Sequence, residues 1–95
     1  MVECRVSVVN RLGLHARAAA QLVRAAGRFQ SSVRLERVDG SAGADAKSIL
    51  SVLMLAASRG TELRVTAEGL DEGEAVAALR SLFAEGFGEA GRQQQ

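Results

Sequence analysis

The sequence predicts an α+β domain: one four-stranded antiparallel sheet covered on one face by three helices, in the order βαββαβα. Two kinds of pattern predict it. Three segments alternate apolar and polar residues with a period of two, and two others carry apolar residues at helical spacing. A short apolar run behind Ser48 supplies the remaining helix.

The first strand sets Val2, Cys4, Val6 and Val8 against Glu3, Arg5 and Ser7, so one face is buried and the other meets water. Ala19, Leu22, Val23 and Ala26 follow at i, i+3, i+4 and i+7, and Gly27 is the expected stop. Val33 and Leu35 alternate with Arg34 and Glu36 as the second strand. Asp39 and Gly40 then signal a tight turn into a short third strand near residues 42–46, where strand propensity is poor. Ser48 caps a short helix expected over residues 49–57 and ended by Gly60. Leu63, Val65 and Ala67 alternate with Glu62, Arg64, Thr66 and Glu68 as the last strand. Ala75, Ala78, Leu79, Leu82 and Phe83 give the last helix, opened by Asp71 and Glu74 as a capping-box-like pair and followed by Gly86. The domain is expected to span residues 1–87, with 88–95 a frayed tail.

Composition narrows the function. Ninety-five residues suit one domain, and its core must be built from Ala, Val, Leu and three Phe, because Trp and Tyr are absent. A net charge of +1 and strands without stacking aromatics argue against nucleic acid. The single Cys4 excludes an internal disulfide, and no metal-ligand spacing surrounds it, so neither metal nor cofactor is expected. A reducing compartment, the cytoplasm, fits. Residues 1–9 alternate and carry Glu3 and Arg5, unlike a secretion signal. Residues 49–57, interrupted by Ser51, fall far short of the ~20 needed to span a bilayer. A monomer without membrane insertion is expected.

The informative anomaly is the start of the first helix. Free backbone N–H groups there act as about half a positive charge and favour acids, as the last helix illustrates with Asp71, Glu72 and Glu74. The first helix instead opens Gly13–Leu14–His15–Ala16–Arg17–Ala18, with an imidazole, a guanidinium and no carboxylate. Each misplaced cation costs on the order of 0.3–1 kcal/mol, which a visiting anion removes. The amides of Ala16, Arg17 and Ala18 with the Arg17 side chain then form a phosphate cradle, and His15 adds a nucleophilic nitrogen. The positive helix end disfavours an imidazolium and leaves the ring neutral. A lone His beside a helix start is also an ordinary loop residue, and Arg17 an ordinary solvated side chain. Spacing by itself does not choose between these.

The same hexapeptide resembles the active-site signature of the HPr family, the histidine phosphocarriers of the phosphoenolpyruvate-dependent phosphotransferase system. The similarity runs from about Val2 to Phe87. It includes Ala46–Lys47–Ser48–Ile49–Leu50, Arg59–Gly60–Thr61–Glu62–Leu63 and Ala67–Glu68–Gly69. The resemblance implies an open-faced β-sandwich. It implies that His15 accepts a phosphoryl group from phosphorylated enzyme I and donates it to an enzyme II A-type domain, with Arg17 steadying the group. Ser48 matches the family's regulatory serine, the target of a serine kinase/phosphorylase in some lineages, and is equally an N-cap.

Ile49, Leu50, Leu53 and Met54 cannot all face the core from one short helix, so some are expected beside His15 as a docking patch, with Ala20 and Arg24 from the first helix. Arg24 and Arg28 would form a charged rim, although a solvated face is the default for both. Ala18 stands where the family commonly has Pro, which adds a donor and removes some rigidity. Asn10–Arg11–Leu12 and Leu82–Phe83–Ala84–Glu85–Gly86–Phe87 resemble the regulatory and nitrogen-branch carriers more than the sugar-uptake ones. Two other readings compete with the relay. One is a regulatory interaction module controlled through Ser48, and the other a small-ligand-binding domain, poorly supplied with convergent polar side chains. An ordinary enzyme is unsupported, because the chain has one His and no Cys–His pair.

Overall fold

Period-two alternation becomes a two-faced sheet. The computed structural model describes residues 1–89. Strands β1 (Val2–Ser7), β2 (Ser32–Arg37), β3 (Gly43–Asp45) and β4 (Glu62–Glu68) are joined through helices α1 (Ala16–Ala26), α2 (Ile49–Met54) and α3 (Glu72–Ala84), and a tight turn follows at Gly86–Gly88. The strand order is β1-β4-β2-β3, with every neighbour antiparallel. The expected α+β order and the open-faced sheet are both present.

Val6, Val33, Leu35, Leu63, Val65 and Ala67 are buried on the helix side of the sheet, beneath Leu22, Val52, Leu79 and Phe83. On the open side β1 and β4 place Arg5 opposite Arg64. Two diagonal carboxylates and, from β2, the directly opposite Glu36 relieve that like-charge pair. Arg5 meets Glu62 at 3.7 Å, while Arg64 meets Glu3 at 3.7 Å and Glu36 at 3.8 Å.

Several element ends differ from expectation. Helix α2 stops at Met54, short of residue 57, because Ala56 takes a left-handed φ of 51°. That break turns Leu55 and Ala57 into the core and aims the Ala57 carbonyl at the Leu14 N–H, 2.9 Å away. Gly27 ends α1 in a right-handed conformation, without the left-handed cap that glycine often supplies. At α3 the expected capping box does not form. Asp71 makes no side-chain bond to its own helix. Its carboxylate instead accepts from the Gln30 N–H at 2.9 Å, the Ser31 N–H at 2.9 Å and the Ser31 hydroxyl at 2.5 Å. The Ser31 hydroxyl first, then the Gln30 amide, hold this carboxyl at about 2. Asp71 is thus a clamp joining the α1–β2 loop to α3.

Candidate functional site

Gly13 sets the entry to α1. Its φ is +67°, and a Cβ there would stand 2.6 Å from the Ala57 carbonyl oxygen and 2.9 Å from Ser58 Cα. Glycine alone fits between those backbones. Leu14 then enters the core at 5% exposure, and the next residue, His15, becomes the N-cap of α1 with extended backbone. The imidazole is partly exposed, in a shallow depression shared with Leu12, Leu14, Ala56, Ala57 and Ser58.

Both ring nitrogens have partners. Nδ1 accepts from the Arg17 backbone N–H at 3.3 Å, a long bond at the mouth of the helix. Nε2 lies 2.5 Å from Glu89 Oε2. An amide donor on one side and a carboxylate acceptor on the other assign the same tautomer. The proton sits on Nε2, and Nδ1 keeps its lone pair.

Glu89 corrects two expectations. Gly88 and Glu89 are not a frayed tail, since Glu89 is only 9% exposed; residues 90–95 lie outside the described residues. A carboxylate therefore does visit this helix start, supplied from the other end of the chain. It engages the ring and leaves the backbone amides without a carboxylate partner among the described residues. Burial pushes the Glu89 carboxyl up. The hydrogen bonds from Asn10 and His15, with the Arg17 charge, outweigh that and leave it below the ordinary carboxylate range.

The other anticipated residues fall into place unevenly. Ala16 and Arg17 are exposed at the helix mouth. Ala18 is completely buried, so its amide contributes to the helix dipole but does not open to solvent. Ala20 is half-buried and Arg24 exposed, on the same stripe of α1 as Arg17, with Arg24 about 10 Å further along the axis. Arg28 lies beyond α1, exposed. On α2 all four anticipated apolar residues are exposed: Ile49 44%, Leu50 66%, Leu53 37% and Met54 74%. Val52 and Leu55 take the core positions instead. Ser48 is half-buried, and its hydroxyl caps α2 by accepting from the Ser51 N–H at 3.3 Å. Among the described residues no cluster of His, Cys, Asp or Glu suits a metal ion, and no helix is long and apolar enough to cross a membrane.

Sequence reasoning missed Glu89 and Asn10. The available signal for Glu89 was Gly86–Phe87–Gly88 ahead of it, a pattern that reverses a chain instead of releasing it. For Asn10 the signal was a polar residue continuing the inward register of Val6 and Val8.

Comparison with known proteins agrees with this geometry. Residues 2–85 match the family model described as the phosphotransferase-system HPr component phosphorylation site. The chain belongs to the HPr family, the phosphocarriers of the phosphotransferase system. Among its relatives is the phosphocarrier protein HPr of Cupriavidus necator, 45% identical over 94% of this chain and 98% of that one. The phosphocarrier protein NPr of Proteus mirabilis is 42% identical over 90% of this chain and 93% of its own length. The crystal structure of HPr-C-His from Thermoanaerobacter tengcongensis superposes with a TM-score of 0.87 at 39% identity, covering 94% of this chain and 98% of that one.

Proposed function

We propose that this HPr-family chain takes a phosphoryl group from phosphorylated enzyme I onto Nδ1 of His15 and gives it to an enzyme II A-type domain. It is a relay, not an enzyme that turns over a substrate of its own. The observation that carries this reading is His15 Nδ1 accepting from the Arg17 N–H at the mouth of α1, where Ala16 and Arg17 are exposed. In the transfer the Nδ1 lone pair forms the N–P bond while the donor's bond to phosphorus breaks, its electron pair staying with the donor. The Arg17 amide, relieved of its long bond to the ring, then points at phosphoryl oxygens, and the Arg17 guanidinium neutralises their charge.

The exposed α2 residues Ile49, Leu50, Leu53 and Met54, with Ala20 and Arg24, are the proposed landing surface for both partners. The unpaired Cys4 suits a cytoplasmic setting. A serine kinase acting on Ser48 is a second, regulatory input, favoured by the position of that hydroxyl immediately before Ile49 and Leu50.

One mass-spectrometric experiment tests these assignments. Incubation with enzyme I and phosphoenolpyruvate should add one acid-labile phosphate to the native chain and none to His15→Ala. Label that persists in the variant overturns His15 as the acceptor. With a serine kinase and ATP, an acid-stable phosphate should appear in His15→Ala and vanish in Ser48→Ala. An unmodified Ser48 with a competent kinase removes the regulatory input.

A further inference from the structure

Asn10 is completely buried between β1 and the site, and its amide can be oriented in only one way. Its Nδ2 lies 2.7 Å from the Gly13 carbonyl oxygen, so reversing the amide would set oxygen against oxygen. The second Nδ2 hydrogen consequently points at Glu89 Oε1, 3.0 Å away. The Asn10 Oδ1 atom is buried and has no hydrogen-bond partner among the described residues. Leaving a buried carbonyl unpaired costs stability, and what the arrangement secures in exchange is a fixed donor aimed at Glu89.

Two donors therefore converge on one side chain: Asn10 Nδ2–H on Oε1 and His15 Nε2–H on Oε2. A carboxylate accepts both. A glutamine in the same place turns an N–H toward one of them. The backbone delivers Glu89 with comparable care. Gly86, Phe87 and Gly88 all adopt left-handed φ values, 62°, 56° and 78°. The unfavourable one at Phe87 is held by burial, by an edge-to-face contact with Phe83 at 5.1 Å, and by Gln21 Nε2 donating to the Phe87 carbonyl at 3.3 Å.

We propose that Glu89, anchored by Asn10, is a positioning residue for the relay histidine that holds the proton on Nε2 both before and after phosphoryl transfer. The inference rests on the phosphocarrier reading and extends it. Before transfer, the bound Nε2 proton keeps Nδ1 the nucleophile. When Nδ1 spends its lone pair on phosphorus, no proton leaves, and the ring becomes cationic with its charge compensated by Glu89. The phosphoryl group grows on the opposite side of the ring from the carboxylate. On donation the N–P electron pair returns to Nδ1 with the proton still on Nε2. A phosphorylated imidazole that keeps this proton is the better leaving group, so the carboxylate keeps the phosphoryl group transferable.

The test uses the full chain, ¹⁵N-labelled, in native form and as Glu89→Gln, Glu89→Ala and Asn10→Ala. Phosphoramidate serves as a small phosphoryl donor that needs no protein partner. Ring-nitrogen NMR spectra of the neutral native imidazole should give a single tautomer, with Nε2 protonated. All three variants should give a mixture, and labelling of the Glu89 variants by phosphoramidate should slow about tenfold, the size of one charge-assisted hydrogen bond. Thermal unfolding read alongside separates this from global loss of structure, and the isosteric glutamine guards against a cavity effect. A single native tautomer with an undiminished labelling rate in Glu89→Gln or Glu89→Ala overturns the proposal. The same spectrum in Asn10→Ala overturns the anchoring by Asn10. A native chain that phosphoramidate does not label counts against the phosphocarrier reading, and the ring spectra still decide for or against Glu89.

Discussion

Gly13 carries no chemistry, yet the position of His15 depends on it. Its left-handed φ and the 2.6 Å approach of a hypothetical Cβ to the Ala57 carbonyl mean that any side chain must push the loop off α2. We expect Gly13→Ala to lower stability by about 2 kcal/mol in urea unfolding, the combined cost of a strained φ and a backbone clash. Labelling at His15 should fall with it, since the imidazole is the next residue but one. An unchanged urea midpoint would contradict this account of the loop. At this scale the sequence was readable where neighbours along the chain set the geometry: His15 at the start of α1 and the cap at Ser48. It was unreadable where the partner is distant. Asn10 and Glu89 are separated by 79 positions, and no local pattern reports that a carboxylate returns to the first helix.

Among elements, the alternating strands and the two longer helices followed from periodicity, because burial on one face imposes it. Element ends did not, because they are set by tertiary contacts. Residues 55–57 look helical in isolation, but the core takes Leu55 and Ala57, and Leu14 takes the Ala57 carbonyl. Asp71 looks like a helix cap and is spent on Gln30 and Ser31 instead. That clamp has a consequence in acid. The folded carboxyl titrates at about 2, below its unfolded value of about 3.9. Its stabilisation is therefore complete above about pH 4 and is lost as pH falls toward about 2. Glu72, lowered by the Gly69 amide and then by the Met1 amino group, and Asp39, lowered by Ser41, change in the same direction. Melting temperatures measured from pH 7 down to 2 should fall less steeply for Asp71→Asn than for the native chain, from a lower starting value. Parallel curves would show that the clamp does not contribute.

Across the whole molecule, the proposed function divides between two surfaces. In that reading His15 and its hydrogen bonds carry the chemistry, and the exposed residues of α2 carry recognition. If that division holds, the two respond separately to mutation. Leu50 and Met54 project 66% and 74% of their surface into solvent, so glutamates there bury no charge, and stability should change by no more than about 0.5 kcal/mol. Phosphoramidate, which needs no docking, should label Leu50→Glu/Met54→Glu at the native rate. Enzyme I, which must exclude water over this patch to reach Nδ1, should label it at least tenfold more slowly, the usual effect of disrupting a central apolar contact. The patch must also be free in solution, so light scattering should give a mass near 10.0 kDa for the native chain. A dimer, or enzyme I labelling that ignores the two glutamates, would move the recognition surface elsewhere and leave His15 as the chemical centre.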